Sequence, residues 1–290
     1  MLKNNTSKIM KGKICMITGA NSGIGKATAK GLVKLGATVV MVCRNKERGD
    51  KALNEIKKVS NNTNVDLMLA DLSSPKQIHQ LVSKFKKKYQ RLDVLINNAG
   101  VNLSKRILTE DGIETTFAVN YLATFLLSNL LFDVLKASSP SRIVNVASSV
   151  QARSFDFEYL QNEKHYRQLK SYSQSKLAVI IFTYDFAKKI EGSGVTVNCL
   201  HPGYVKTNMV RNYRKFVKYF FPFIGLFMST PKRGAKASIY LASSPELEGI
   251  SGVYYKKRKE GKSVKASFNE ELAKQLWTLS EELTNFRSGL

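Results

Sequence analysis

Residues 16–29 read MITGANSGIGKATA, and the three glycines at 19, 23 and 25 decide the fold. They stand where an apolar run, ICMIT (14–18), gives way to a pattern of helical period. Glycine admits a tight turn of positive φ and leaves no side chain between a ligand and the backbone. A helix opening there presents unpaired N–H groups and a partial positive charge at its first turn. A strand, a glycine turn and a helix in succession therefore predict a cradle for a nucleotide diphosphate. Asn21, Ser22 and Ile24 complete the turn between Gly19, Gly23 and Gly25. The spacing is G-x-x-x-G-x-G, which differs from the common dinucleotide fingerprint, G-x-G-x-x-G.

Working outward, the same apolar, β-branched composition recurs at 37–43, 65–70, 92–97, 142–147 and 195–200, with SGVYY (251–255) as a seventh run. Near-continuous apolar runs of this length suit strands buried on both faces of a parallel sheet. Helical patterns fill the gaps at 24–35, 46–60, 75–90, 113–136 and 172–191. The alternation predicts an α/β fold: a single doubly wound parallel sheet of six to seven strands, Rossmann-type, with helices on both faces. There is no Pro- or Gly-rich linker and no solenoid repeat, so one domain over 13–257 is expected. An N-terminal tail (1–12) precedes it, and a basic tail with a C-terminal helix (258–290) follows. Two connections, 149–171 and 203–230, are long for a compact domain. Both leave from the carboxyl ends of strands, where such sheets bind ligands.

The 290 residues are 43% hydrophobic and 23% charged, as in ordinary globular proteins, but the formal net charge is +24. That field favours anionic partners. Cys15, Cys43 and Cys199 are isolated within apolar runs, which suits buried thiols in a reducing compartment rather than a disulfide frame. MLKNNTSKIMKGK (1–13) lacks the apolar core of a secretory signal. YFFPFIGLFM (219–228) is too short to cross a bilayer. A cytoplasmic location is expected. His79, His165 and His201 are scattered, and no Cys/His spacing indicates a metal.

The second predicted strand ends at Cys43-Arg44, where an acid would suit the ribose hydroxyls of NAD. A guanidinium there suits a phosphate instead and predicts the 2′-phosphorylated cofactor NADP(H), with Lys46 or Arg48 assisting. A plain surface arginine is the alternative. Asp71-Leu72 closes the third strand, where Asp71 is placed to accept from the adenine amine. Asn98, Ala99 and Gly100 follow the fourth, small enough to let the chain pass close to the cofactor. In YSQSK (172–176), Tyr172 and Lys176 are four residues apart and share a helix face. A phenol beside an ammonium is a candidate general acid, because the cation favours the phenolate. Ser148 ends the fifth strand at the same edge of the sheet.

With these motifs assembled, the chain resembles the short-chain dehydrogenase/reductases over about 13–255. The matching stretches are TGANSGIG (18–25), NNAG (97–100), Asn120, Ser148, YSQSK (172–176) and HPG (201–203) with Thr207. CRNKERG (43–49), VNYLATFLL (119–127), GSGVTVNCLHPGYVKT (192–207) and LAKQLWTLSEEL (272–283) are most similar to the retinol dehydrogenase-like group. The resemblance implies a catalytic set of Tyr172, Lys176, Ser148 and Asn120. Tyr172 would give its proton to the carbonyl oxygen and Ser148 would polarise it. Lys176 would bind the nicotinamide ribose and lower the tyrosine's pKa, while Asn120 positions a water for proton resupply. Pro202, Gly203, Val205 and Thr207 would hold the nicotinamide end. Members of this group often carry an N-terminal membrane anchor, and none is legible here.

The stretch 210–230 alternates basic residues with Tyr213, Phe216, Tyr219, Phe220, Phe221, Phe223 and Phe227. One reading makes it a substrate lid whose basic side meets acidic lipid, giving a peripheral membrane contact. The other makes it a satellite core helix with a solvated face. Either way a lipophilic alcohol or carbonyl is the expected substrate. Binding of NADP(H) without turnover, as a sensor or scaffold, is the alternative function. No nucleic-acid recognition fold is legible, so no nucleic-acid partner is expected. Self-association through 113–136 and 172–191 is one expected assembly, and a monomer is the other.

Overall fold

The computed structural model describes residues 9–60, 64–161, 166–205 and 229–290. The first half alternates strictly: β1 (Ile14–Thr18), α1 (Gly23–Lys34), β2 (Thr38–Cys43), α2 (Lys46–Ser60), β3 (Val65–Leu69), α3 (Pro75–Lys88) and β4 (Val94–Asn97). An interrupted helix follows, as α4 (Thr115–Phe117), a π-helical turn (Ala118–Leu122), α5 (Ala123–Leu130) and α6 (Phe132–Ala137). Then come β5 (Ser141–Val146), α7 (Phe157–Gln161), α8 (Gln168–Lys189), β6 (Val195–His201), α9 (Pro231–Ser243), β7 (Tyr254–Lys256), β8 (Lys259–Glu260) and α10 (Glu270–Thr284).

The strands form one sheet in the order β3-β2-β1-β4-β5-β6-β7-β8. All neighbours are parallel except the antiparallel pair β7–β8. The chain winds outward from β1 to β3 and then returns to β4 on the other side of β1. That reversal opens a crevice beyond the carboxyl ends of β1 and β4. Thr18 closes its floor, because its Oγ1 accepts from the backbone N–H groups of Asn98 and Ala99, each at 2.9 Å.

Two apolar clusters sandwich the sheet. One holds Leu32 and Val33 of α1, Ile56 of α2 and Leu241 of α9. The other holds Phe85 of α3, Phe125 of α5, Phe182 of α8 and Trp277 of α10. The caps follow elementary rules: Ser74 and Thr230 accept from Gln77 and Arg233 N–H, and each is followed by proline.

Four differences from the sequence reading have physical causes. The sheet has eight strands rather than six to seven, because Lys257, in the left-handed region at φ 62°, turns the chain back so that β8 pairs with β7. The helix expected over 113–136 is broken into pieces by a π turn and by Leu131. The tail expected over 1–12 ends early, since Met10 is buried and its N–H donates to Leu35 O at 2.9 Å. The segment after 258, expected as a basic tail and a C-terminal helix, does form that helix, and it packs into the body of the domain: α10 buries Leu276 and Trp277, and Tyr121 meets Ser280 at 2.7 Å.

Candidate active site

The site is built at the carboxyl ends of β1, β4, β5 and β6. Gly19 turns the chain out of β1 at φ 65° while its N–H donates to Val42 O at 2.8 Å. Gly23 opens α1 at φ 55°. Ser22, the N-cap, is extended and makes no side-chain cap, and no acid lies in the first turn. The helix dipole at this end is thus left unneutralised by the chain's own groups. Gly25 has a different reason. A Cβ there would sit 2.4 Å from Gly19 O and 2.5 Å from Asn98 Nδ2, inside any real contact distance. Asn98 Nδ2 itself donates to Thr18 O at 2.8 Å, so the turn, the helix and the end of β4 interlock.

Arg44 lies at the end of β2 with its side chain 75% exposed, and its Nη1 is 3.3 Å from Asp71 Oδ2. An ion pair so open to water contributes ~0–1 kcal/mol, which leaves the guanidinium free to exchange partners. Partial burial disfavours ionised Asp71, but hydrogen bonds from Ser73 and the Arg44 charge outweigh it and hold the carboxyl below its ordinary value. Leu72 is buried in the apolar cluster beside it. Lys46 pairs with Asp50 at 2.6 Å, one turn along α2.

Tyr172 and Lys176 stand one turn apart near the start of α8, with Lys176 Nζ 5.8 Å from the centroid of the tyrosine ring. Lys176 is 3% exposed and donates to Val146 O at 2.8 Å, which roots it at the end of β5. Burial pulls its ammonium down to about 8. Ser148, two residues beyond β5, is buried, and its Oγ accepts from Val150 N–H at 3.0 Å. A hydroxyl with a lone pair so occupied keeps its proton for another acceptor. Asn120 sits in the π turn. Its Oδ1 accepts from Val101 N–H at 2.7 Å, and its Nδ2 donates to Val101 O at 3.0 Å and Ser175 Oγ at 2.9 Å. Its amide thus ties the chain after NNAG to α8. π turns are frequent at functional sites, and the inserted residue is what breaks the predicted helix here.

The segment after β6 joins the two halves. Gly203 takes φ 89°, and buried Val205 pairs with Ser229. A Cβ at Gly234 would meet Val205 Cγ2 at 2.6 Å and Ile24 Cγ1 at 3.2 Å, so this segment, α9 and the first turn of α1 converge. His201 is buried, with Nε2 3.2 Å from Ser149 Oγ. Burial, then the charges of Lys256 and Lys257, lower its pKa to about 4. Thr207, His165 and most of the segment expected as a substrate lid, 203–230 (residues 206–228), lie outside the described residues. Among the described residues no cluster of His, Cys, Asp and Glu could hold a metal, and no helix is long and apolar enough to cross a membrane.

Two contacts had no signal in the sequence. Gln151 Nε2 and Tyr254 OH both donate to Ser148 O, at 3.0 and 3.1 Å. Gln151 falls within a connection, and Tyr254 reads as ordinary strand core; only the fold brings them together.

Residues 13–218 match the family model described as short chain dehydrogenase. Human retinol dehydrogenase 14 is 42% identical over 290 residues, covering 94% of this chain and 86% of its own length. Human polyprenol dehydrogenase is 40% identical over 280 residues, covering 94% and 85%. Among solved structures, a short chain dehydrogenase from Burkholderia cenocepacia J2315 in complex with NADP superposes with a TM-score of 0.69 at 25% identity, covering 86% of this chain and 97% of that one.

Proposed function

The chain belongs to the short chain dehydrogenase family of oxidoreductases, retinol dehydrogenase-like in sequence, and we propose that it transfers hydride between NADP(H) and a lipophilic alcohol or carbonyl. The observation that carries the reading is the juxtaposition of Tyr172 over buried Lys176, which is rooted on β5 just before Ser148. The glycine turn opens onto the same edge of the sheet. The printed names of the relatives, retinol and polyprenol dehydrogenases, support an apolar substrate.

The turn of Gly19, Asn21, Ser22, Gly23, Ile24 and Gly25 fits a diphosphate, since its glycines leave no side chain in the way and its helix lacks a cap. Arg44 would release Asp71 to grip the 2′-phosphate, freeing Asp71 for the adenine amine beside Leu72. Asn98, Ala99 and Gly100 would wall the cofactor, and Pro202, Gly203, Val205 and Thr207 would hold its nicotinamide end. When bound, the dinucleotide supplies or accepts the hydride; the rest falls to the side chains. In reduction, Ser148 Oγ–H donates to the substrate oxygen and draws charge toward it. Tyr172 passes its phenolic proton to that oxygen as the carbon takes up hydride. Lys176, close to the ring and cationic, lowers the cost of the phenolate left behind. Asn120 would position a water for proton resupply, while its amide joins this helix to the chain just after the cofactor wall. The exposed basic run Lys256–Lys259 turns at the same end of the sheet, which suits a peripheral seat on anionic lipid.

A panel of retinoid, steroid and aliphatic carbonyls assayed with NADPH and NADH tests the reading. NADPH-dependent reduction favouring long apolar substrates is expected. Arg44→Asp should raise KM for NADPH about tenfold or more and leave that for NADH within about twofold. Reduction of none of these carbonyls, or equal loss for both dinucleotides, contradicts it.

A further inference from the structure

The serine at the end of β5 is held by more than its own loop. Its Oγ accepts from Val150 N–H, and its carbonyl oxygen accepts two donors, Gln151 Nε2 at 3.0 Å and Tyr254 OH at 3.1 Å. Both lone pairs of that carbonyl are therefore engaged. A peptide plane so pinned fixes the Cα–Cβ direction of Ser148, and the Val150 bond fixes the rotor beyond it. The two donors come from different places. Tyr254 opens β7, is 1% exposed and is registered on Cys199 of β6. Burial holds its phenol well above the usual range, so it remains a donor at every working pH. Gln151 belongs to the connection after β5, and its Oε1 accepts from Val264 N–H at 3.0 Å. The chain around Val264 is anchored in turn: Ser263 Oγ meets Tyr184 OH of α8 at 2.9 Å and Ser267 Oγ at 2.7 Å.

We infer that Tyr254 and Gln151 are positioning residues for the Ser148 hydroxyl, and that through Gln151 the segment after β8 belongs to the working site. The inference rests on the proposed role of Ser148. Neither residue touches the reacting atoms; each acts by holding the peptide from which the donating hydroxyl projects. A pocket so assembled keeps the hydroxyl aimed before substrate arrives, which is where preorganised donors gain over water.

The test is a cycle of variants with all-trans-retinal and NADPH. Tyr254→Phe, which removes the hydrogen bond to Ser148 O, and Gln151→Met, which removes that bond and the one from Val264 N–H, should each lower kcat by about three- to tenfold with KM for NADPH unchanged. In a Ser148→Ala background the same two changes should have no further effect on kcat, because the group they aim is gone. A purely structural role would lower the rate equally in both backgrounds, and that outcome overturns the inference. So does an unchanged kcat in the otherwise intact enzyme. Gln151→Met, at a half-buried position, keeps the test open should Tyr254→Phe fail to fold. Full activity in Ser148→Ala alone would instead remove the functional reading, and the inference with it.

Discussion

At the scale of single residues, Lys176 carries the most information. Sequence pairs it with Tyr172 by spacing alone; the structure adds that it is buried and bonded to Val146 O, with its ammonium pulled down to about 8. The sign of the consequence follows. The unfolded chain keeps this lysine protonated to about 10. Folding is therefore opposed by desolvating the ammonium at low pH, and the opposition fades as pH rises from about 8 toward 10. Reduction has the opposite dependence, because it needs the cation beside the phenol. Its rate should fall above about pH 8, and Lys176→Met should be slow with no such alkaline limb. A limb that survives in that variant would assign the titration to another group. His201 behaves differently: held near 4, it stays neutral through the working range and contributes no limb there. Arg44 and Asp71 were each read as an expected cofactor contact, but their pairing with one another across β2 and β3 was not foreseen, since sequence does not say which exposed groups meet.

At the scale of elements, periodicity located nearly every strand and helix to within a few residues. It failed where local geometry departs from the regular period. The π turn at Ala118–Leu122 has no glycine or proline to announce it, and it is what gives Asn120 its reach to Val101 and Ser175. The two-residue β8 is too short to have a pattern. The glycine turn was read as a place where a diphosphate comes close to the backbone; at Gly25 what the structure brings close is the protein itself, Gly19 O and Asn98 Nδ2. Gly25→Ala should accordingly strain the interlock by ~1–3 kcal/mol. It should lower the melting temperature and weaken NADPH binding together, as read by thermal unfolding and fluorescence titration. Unchanged melting and affinity would show that the turn yields without loss.

For the whole molecule, the doubly wound sheet accounts for the convergence of groups from 19 to 254 at one edge. The sequence could not reveal how the last helix is used. Trp277 of α10 packs against Phe125, Phe182 and Phe186, and Lys189 lies over its ring at 4.5 Å, so part of the face of α5 and α8 is already covered within the chain. The +24 charge is also placed usefully, since Lys256 and Lys257 are close enough to depress His201 and stand at the site's end of the sheet, where they favour an anionic dinucleotide. Proton delivery by Tyr172 is the central step of the proposed reaction. Its most direct measurement is NADPH oxidation by Tyr172→Phe against the unaltered chain, with dinucleotide affinity measured in parallel. A fall in kcat of about a hundredfold or more at unchanged affinity is predicted; the full rate of reduction in that variant would contradict it.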